Sequence, residues 1–150
     1  MVPSISITTP SYNQAQFLVQ AIQSVLAQGY PALEYQILDG GSTDGSVEII
    51  HSYSDQLSYF TSEADNGQSD AVNRGWIRSS GDVISWLNSD DYLLPGALDI
   101  VAREFQDDAN LVALIGDCLI ADVGGQIVGH KYARTLDLPR LITTSGGVPG

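Results

Sequence analysis

Hydrophobic and polar residues alternate along this chain with two periods, one typical of strands and the other typical of helices. Residues 4–9 (SISITT) alternate strictly and are rich in β-branched side chains, so they predict a strand, which Pro10 is expected to end. Further strands are predicted at residues 34–39, 57–61 and 82–87. Helical spacing of apolar residues predicts helices at residues 14–28, 44–52, 69–79 and 95–105. Strand and helix alternate four times, which predicts an α/β sandwich with a mostly parallel central sheet.

Several polar residues stand where helices are predicted to begin. Ser42 or Thr43 is expected to cap the second helix, and Ser69 the third. Pro95 suits the first turn of the fourth helix. Asn13 has two interpretations, either as the cap of the first helix or as part of a ligand-binding loop.

The remaining apolar residues are expected to be structural. Trp76 and Trp86 are interpreted as core residues, and Cys118 as a small buried side chain. Residues 111–116 form another apolar segment, and the pair Gly124-Gly125 predicts the turn of a hairpin. Residues 135–150 show no clear period.

The hydrophobic content and the net charge of the chain limit the kinds of ligand that it is expected to bind. The 150 residues are 43% hydrophobic, which supports a buried core, and six basic against eighteen acidic residues give a net charge of −12. A chain this acidic repels a nucleic-acid backbone, so general DNA or RNA binding is disfavoured. An anionic ligand could still bind through backbone amides, a helix N-terminus or a metal ion. Arg74 and Arg78 share a helical face and could either meet a phosphate or be solvated.

The lone Cys118 excludes an intrachain disulfide and fits a reducing compartment. The N-terminal MVPSISITTP lacks the basic and apolar regions of a signal peptide, and no apolar run approaches the roughly 20 residues that span a bilayer. We therefore expect a cytoplasmic protein without a transmembrane segment, whose membrane contact, if any, is peripheral and at the inner face.

Polar clusters follow the predicted strands at the edge where ligands bind in parallel α/β sheets. They are PSYN after the first strand, DGGSTDG after the second and NSDD after the fourth. The adjacent carboxylates Asp90 and Asp91 are oxygen donors of the kind that bind Mg²⁺ or Mn²⁺ together with a substrate phosphate. Taken alone, such a pair is more often a solvated turn, but its place at a strand end favours the metal site.

The other clusters also combine a structural interpretation with a ligand-binding one. Asp39 could accept hydrogen bonds from a base or ribose, whereas Asp44 is better explained by a helix N-terminus. Gly67 gives a ligand room against the next helix, and Tyr12 could lie against a flat base. Neither GxGxxG nor GxxxxGK[ST] occurs, so a dinucleotide site or a P-loop is poorly supported.

Together these motifs resemble the nucleotide-sugar-binding part of family-2 glycosyltransferases with the GT-A fold. The resemblance covers residues 4–98, in the order SISITTPSYN, QAIQSVLAQGYPALEYQILDGGSTDGS, SEADNGQSDAVNRG and SSGDVISWLNSDDYLLPGAL. It implies a GT-A (Rossmann-like) α/β/α sandwich. It also implies that Pro10 and Tyr12 flank the base, that Asp39 contacts the nucleoside, and that Gly67 and Gln68 line the nucleotide cleft.

The resemblance places the donor sugar and metal at the fourth motif. It implies that Asp90 faces the ribose or donor sugar and that Asp91, with Asp90, holds Mg²⁺ or Mn²⁺ on the diphosphate. Two departures stand out. Many family members have paired aspartates where this chain has Asp39-Gly40, so one nucleoside contact is missing or replaced, and Asn88 takes the place of the first aspartate of a D-x-D-D pattern.

The resemblance implies an inverting, metal-assisted transfer of sugar from a nucleotide-diphosphate sugar to a hydroxyl acceptor. The favoured donor is a UDP-sugar. The acceptor would be a saccharide or a lipid-linked molecule, in polysaccharide, cell-wall or glycoconjugate synthesis.

The general base of the family lies in a later, acceptor-side segment, and we expect it to lie beyond Gly150. Residues 1–150 are accordingly expected to be a single donor-binding domain that ends before that segment. Nothing supports Asp117, Asp122 or Asp137 as the base.

Two other function classes use the same residues. The first is a nucleotide-sugar-binding module without transfer activity in this chain. The second is a metal-dependent phosphohydrolase, but the sequence lacks the additional ligands such an enzyme needs.

Overall fold

The computed structural model describes residues 2–133, which divide into two compact units between Asn110 and Leu111. The first unit contains strands β1 to β4 and helices α1 to α4, and the second contains a hairpin of strands β5 and β6. The strands are β1 (Ile5–Ser11), β2 (Leu33–Asp39), β3 (Tyr59–Ser62), β4 (Val83–Trp86), β5 (Cys118–Ala121) and β6 (Ile127–Lys131). The helices are α1 (Ala15–Leu26), α2 (Ser46–Ser52), α3 (Gln68–Arg78) and α4 (Ala97–Asp107), with a short 3-10 turn at Ser54–Gln56.

The sheet of the first unit is parallel, in the order β3-β2-β1-β4, as the alternation of strands and helices predicts. Ile5 pairs with Leu33 on one side and with Val83 on the other, so β1 lies inside the sheet. The four carboxyl ends therefore meet at one edge. This confirms the predicted α/β fold with its mostly parallel central sheet.

One face of the sheet is apolar and packs on helices. The buried core consists largely of alternate strand residues together with the inward faces of three helices: Ile5, Ile7, Leu18, Ile22, Val25, Tyr30, Tyr35, Ile37, Ile50, Leu87, Leu98 and Ala102. Because side chains alternate along a strand, the other residues of β1 face the opposite side.

The opposite face carries buried polar side chains and receives α3. Gln36 Nε2 donates to Thr8 Oγ1 at 3.1 Å, to the carbonyl of Gly75 at 2.7 Å and to Ser79 Oγ at 3.0 Å. These hydrogen bonds satisfy buried polar groups and tie α3 to β1 and β2. Helices therefore cover both faces, which gives the predicted three layers.

Pro10 does not end the first strand, contrary to the sequence prediction. β1 continues through Pro10, which pairs in register with Leu38, to Ser11. The carbonyl of Thr8 accepts from the N–H of Leu87 in the segment after β4, while that of Ser11 accepts from Gly40 after β2. By alternation, Pro10 faces the β4 side, where strand pairing has ended, so its missing N–H breaks no ladder hydrogen bond.

The predicted helix caps were also wrong. Gly45 precedes α2 and Gly67 precedes α3, and neither helix has a side-chain cap from the residue before it. Asp44 bonds to two helix starts instead, because its Oδ2 accepts from Ala15 N (2.9 Å) and its Oδ1 from Ser46 N (3.0 Å). These bonds lower the pKa of Asp44, with the Ser46 hydroxyl contributing most.

The predictions for Pro95, Trp76 and Trp86 are also wrong, because the fold places these residues differently from what the sequence indicates. Pro95 lies two residues before α4 rather than in its first turn. Trp86 is 49% exposed because β4 is an edge strand among the described strands, and Trp76 is half-buried against it, with 5.6 Å between ring centroids.

The second unit contains the predicted hairpin, in which β5 and β6 pair antiparallel around the turn at Gly124-Gly125. Residues 111–116, the apolar segment that follows α4, form no helix or strand. Cys118 is exposed, contrary to prediction, because a two-stranded hairpin buries few of its side chains. Residues 135–150 lie outside the described residues.

Candidate functional site

A cleft of about 690 Å³ opens at the carboxyl edge of the sheet. Segments that follow β1, β2, β3 and β4 all contribute to it. Its lining residues are Pro10, Ser11, Tyr12, Gln14, Gly40, Ala64, Asp65, Gly67, Gln68, Ala71, Asn88, Ser89 and Asp90. The polar clusters that the sequence places after separate strands thus meet in one cavity of the size that small ligands occupy.

The end of β1 supplies an aromatic ring and a hydroxyl. Tyr12 is 63% exposed, so its ring is available to a flat ligand, and Pro10 lines the cleft nearby. Ser11 is 5% exposed, yet its Oγ makes no hydrogen bond within the described structure. A buried hydroxyl without a partner is uncommon, and its place in the cleft wall suits a ligand contact.

Asn13 shapes the loop after β1 and does not cap α1. It adopts a positive φ of 52°, and its Oδ1 accepts from the N–H of Thr43 at 2.9 Å. Its own N–H donates to Ser42 Oγ at 2.8 Å. The loops after β1 and β2 are therefore joined directly beside the cleft.

Asp39 lies behind the cleft wall, while its neighbour Gly40 lines the cleft. Asp39 is only 2% exposed. Its Oδ2 accepts from Gly41 N (3.1 Å), Ser42 N (2.8 Å) and Ser62 Oγ (2.7 Å), and its Oδ1 from Ser42 Oγ (2.5 Å). The carboxylate thus fixes the glycine-rich loop, and the predicted nucleoside contact of Asp39 stays a prediction.

The start of α3 forms a second wall of the cleft. Gly67 has φ 98°, a left-handed conformation that favours glycine, and its N–H donates to Asp65 Oδ1 at 2.8 Å. The N–H groups of Gln68 and Ser69 donate to no acceptor among residues 2–133. Such free donors at a helix start attract anions.

The segment after β4 is organised by Asn88. Its Oδ1 accepts from Gln68 Nε2 at 2.6 Å, and its Nδ2 donates to Asp91 Oδ2 at 2.9 Å. An aspartate at this position would have no proton to donate to Asp91 at neutral pH. Asn88 in place of the aspartate that many family members have therefore permits this link between α3 and Asp91.

The two adjacent carboxylates have different surroundings. Asp90 lines the cleft, and its carboxylate makes no hydrogen bond or ion pair to any residue that the structure describes. Asp91 is exposed and is bound by Asn88 through one oxygen. Ser89, between Asn88 and Asp90, is buried and also lines the cleft.

No basic side chain of the described residues lines the cleft. Arg74 pairs with Glu63, and the guanidinium of Arg78 lies 3.6 Å from the ring centroid of Tyr59. Both arginines border a separate cavity of about 300 Å³. A phosphate in the cleft would therefore depend on backbone N–H groups or a cation rather than on these arginines.

Residues 6–131 match the sequence model of the family described as Glycosyl transferase family 2. The matched range contains every residue of the cleft. The chain belongs to glycosyl transferase family 2. Among its relatives, chondroitin synthase from Escherichia coli is 32% identical over 133 residues, which cover 87% of this chain and 19% of that protein.

Solved structures of glycosyltransferases have the same fold. Staphylococcus aureus TarS in complex with UDP-GlcNAc aligns with a TM-score of 0.63 at 22% identity, over 69% of this chain and 31% of that one. The mannosyltransferase PcManGT from Pyrobaculum calidifontis, in complex with GDP-Man and Mn²⁺, aligns with a TM-score of 0.63 at 20% identity, over 81% and 36% respectively. These similarities show the GT-A fold of this family-2 chain.

The chain spans between 14% and 58% of the length of the curated relatives it matches. Within residues 2–133, no helix is both long enough and apolar enough to cross a bilayer.

Asp90 lines the cleft but the adjacent Asp91 does not, so the cleft offers a divalent cation only an incomplete set of side-chain ligands. No group of three or more His, Cys, Asp or Glu residues in the described part of the chain could hold a metal. Asp90 and Asp91 nevertheless supply hard oxygen donors, which suit Mg²⁺ and Mn²⁺. Such ions usually complete their coordination with water and substrate phosphates, so one or two carboxylates can hold them when a substrate phosphate is present.

The acidic residues of the second unit have local partners. Asp117 accepts from Ala133 N at 2.7 Å and lies 3.2 Å from His130 Nε2. Asp122 accepts from the N–H groups of Gly124 and Gln126 in the hairpin turn. Neither carboxylate is assigned as a general base.

The predicted position of the general base is not tested by this structure. Asp137 and Gly150 both lie outside the described residues, which end at residue 133. The placement of the base beyond Gly150 therefore stays a prediction, and no catalytic base is assigned within residues 2–133.

Five of the residues that the sequence singles out line the cleft, namely Pro10, Tyr12, Gly67, Gln68 and Asp90, and their contacts with a nucleotide sugar stay predictions. Reasoning from sequence missed several lining residues, of which the most informative are Ser11, Gly40, Asp65, Asn88 and Ser89. All of them adjoin the motifs, but strand ends and short loops do not reveal which side chains face a cavity. The signal that could have pointed to Asp65 is its place after β3, at the same sheet edge as the other clusters.

Proposed function

We propose that this chain is the donor-binding part of an inverting, metal-assisted glycosyltransferase. It would transfer a sugar from a nucleotide-diphosphate sugar to a hydroxyl acceptor. The observation that carries the proposal is that the segments after all four parallel strands line one cleft, inside the range that matches the family.

A UDP-sugar is the donor we favour, and polysaccharide, cell-wall or glycoconjugate synthesis the role. The Escherichia coli relative is a chondroitin synthase, and the structural neighbours hold UDP-GlcNAc or GDP-Man. The acceptor would be a saccharide or a lipid-linked molecule. We further propose action in the cytoplasm, where a lone Cys118 fits the reducing compartment, with any membrane contact peripheral and at the inner face.

The cleft offers contacts for each part of such a donor. Tyr12 and Pro10 would flank the base, and the unpartnered Ser11 hydroxyl would contact the nucleoside. The free N–H groups of Gln68 and Ser69 would face the diphosphate, where the α3 dipole favours negative charge. Asp90 would accept hydrogen bonds from hydroxyls of the ribose or donor sugar.

Asp91, together with Asp90, would hold Mg²⁺ or Mn²⁺. The bound cation would stabilise the negative charge that develops on the leaving diphosphate. The hydrogen bond from Asn88 orients the Asp91 carboxylate while leaving its other oxygen available. An inverting transfer also needs a carboxylate to take the proton of the acceptor hydroxyl. We assign that base to an acceptor-side segment rather than to the cleft residues.

Titration calorimetry with UDP in the presence of Mn²⁺ tests the donor site. The wild-type chain should bind UDP more tightly with Mn²⁺ than without it. Asp91→Asn keeps an acceptor for the Asn88 hydrogen bond but removes the charge, so it should reduce the metal-dependent gain in affinity by at least about tenfold.

Asp107→Asn provides the matched control, since it removes the same charge from an exposed position on α4 outside the cleft. It should bind UDP and Mn²⁺ as the wild type does. If no nucleoside diphosphate shows metal-enhanced binding to the wild type, the donor-site proposal is wrong.

A nucleotide-sugar-binding module without transfer activity is the second candidate, because the chain spans only part of each relative it matches. A panel of donor sugars and acceptors separates the two. Donor binding without any transfer by the full-length protein would favour the module.

A further inference from the structure

The cleft lacks the carboxylate that many family members have directly after the first aspartate of the second motif. Asp39 cannot readily take its place, because it is buried and its two oxygens already accept hydrogen bonds from the loop and from Ser62. Gly40 lines the cleft but has no side chain. If a nucleotide binds here as proposed above, any carboxylate that contacts its base would have to come from another segment of the cleft.

Space rather than backbone conformation explains the glycine at position 40. Gly40 is not among the residues with positive φ, so its backbone would accept a side chain. However, a β-carbon at this position would lie 3.2 Å from both carboxylate oxygens of Asp65 and 3.3 Å from its Cγ. The carboxylate of Asp65, which follows β3, thus occupies the space that a side chain at position 40 would enter.

Asp65 is held in a defined orientation with one oxygen unused. Its Oδ1 accepts from Gly67 N at 2.8 Å, whereas its Oδ2 receives no hydrogen bond from any residue in the range 2–133. Asp65 is half-buried. It lines the same cleft as Gly40 and Tyr12. The cleft therefore has a fixed acceptor whose partner the described residues do not supply.

We propose that Asp65 determines the nucleobase preference of the donor site, by accepting a hydrogen bond from a ring N–H that adjoins a carbonyl. Uracil and guanine carry such a donor. Cytosine and adenine instead present an unprotonated ring nitrogen, which the carboxylate would repel. This inference rests on the proposed function, and it predicts that uridine or guanosine nucleotides bind in preference to cytidine and adenosine nucleotides.

Calorimetry with UDP, GDP, CDP and ADP, each with Mn²⁺, tests the inference on wild type and Asp65→Asn. The asparagine retains an acceptor for Gly67 N–H, so the loop should keep its structure. Loss of the charged acceptor should weaken binding of the preferred nucleotide by about ten- to a hundredfold, the range for a hydrogen bond to a charged group. The affinity for CDP should stay constant or rise.

Glu63→Gln is the matched control. It removes a negative charge two residues away, from a side chain that pairs with Arg74 outside the cleft. We expect this variant to keep the wild-type order of the four nucleotides. Thermal unfolding of each variant establishes that differences in binding do not come from unfolding.

A second set of variants tests whether a carboxylate at position 40 can replace the one at position 65. Gly40→Asp alone should weaken binding, because its side chain meets the Asp65 carboxylate. Combining it with Asp65→Gly should recover the preference for UDP or GDP, since the carboxylate then enters the same space from position 40.

The outcomes separate this inference from the proposed function. Equal base preference in wild type and Asp65→Asn would overturn the role of Asp65 while leaving the donor site intact. A wild type that binds none of the four nucleotides would refute both.

Discussion

Glu34 is a half-buried carboxylate whose hydrogen bonds join distant parts of the sheet. It accepts from Ser80 N at 2.9 Å, from Ser80 Oγ at 3.2 Å and from the hydroxyl of Ser6. Burial opposes its ionisation, but the bonds from Ser6 and Ser80 outweigh that effect and hold the pKa of Glu34 below its ordinary value of 4.5. The charged form therefore stabilises the connection between α3 and β4.

This depressed pKa predicts a loss of stability in acid. The folded state binds the proton less readily than the unfolded chain, so the contribution of Glu34 is complete above about pH 4.5 and is lost as the pH falls through the lower, folded-state pKa. Glu34→Gln should reduce the free energy of unfolding by about 1–3 kcal/mol at neutral pH and flatten the acid dependence of Tm. A variant with the same acid dependence as the wild type would contradict this. The pKa values of Asp44 and Asp82 are also lowered, so some acid dependence of Tm should remain in Glu34→Gln.

Asp39 shows the limit of sequence reasoning at the residue scale. The sequence predicts correctly that a carboxylate ends the second strand, but not whether it faces a ligand or its own loop. The four hydrogen bonds that occupy Asp39 come from three other residues, of which Ser62 is 23 positions away. Only the pairing of Asp39 with Ser62 in the β2–β3 register brings that hydroxyl within reach.

At the scale of elements, α3 packs unusually close to the sheet. A β-carbon at Gly75 would lie 2.4 Å from both Cγ2 and Oγ1 of Thr8, which is fully buried in β1. Glycine is required here by the close approach of helix and strand. The same contact lets Gln36 reach the Gly75 carbonyl and fixes α3, whose first turn lines the cleft.

Gly75→Ala should therefore destabilise the fold, although alanine is the better helix former by about 1 kcal/mol. We expect the overlap with Thr8 to dominate and to reduce the free energy of unfolding by about 1–3 kcal/mol in urea denaturation. Gly116→Ala is the control, because a β-carbon there meets nothing within 4 Å. An unchanged midpoint for Gly75→Ala would show that α3 can move away from β1 at little cost.

At the scale of the whole molecule, the charge of −12 accompanies a cleft that no basic side chain of the described residues lines. Among residues 2–133, Arg74 and Arg78 lie at another cavity. Long-range repulsion should thus oppose a diphosphate until a cation is bound. The acidity that disfavours nucleic acid also makes a cation useful for the proposed donor.

This predicts an unusual salt dependence. Without a divalent ion, UDP should bind more tightly as NaCl increases from about 10 to about 100 mM, because the screening length falls from about 30 to about 10 Å. Uridine, which has no phosphate, serves as the control and should be insensitive to salt. An affinity for UDP that falls with added salt would indicate a positively charged site instead.

The sequence by itself determined the order of strands and helices, the mostly parallel sheet and the family, because these depend on local periodicity and on motifs such as DGGSTDG and NSDD. Tertiary structure decided which side chains of those motifs face the cleft. It turned Asp39 towards its own loop, brought Asp65 beside Gly40 and linked Asn88 to Gln68. The contacts of Asp65 with Gly40 and of Asn88 with Gln68, and the bond from Ser62 to Asp39, join segments from different strands. They therefore depend on strand register and helix packing, which no local pattern specifies.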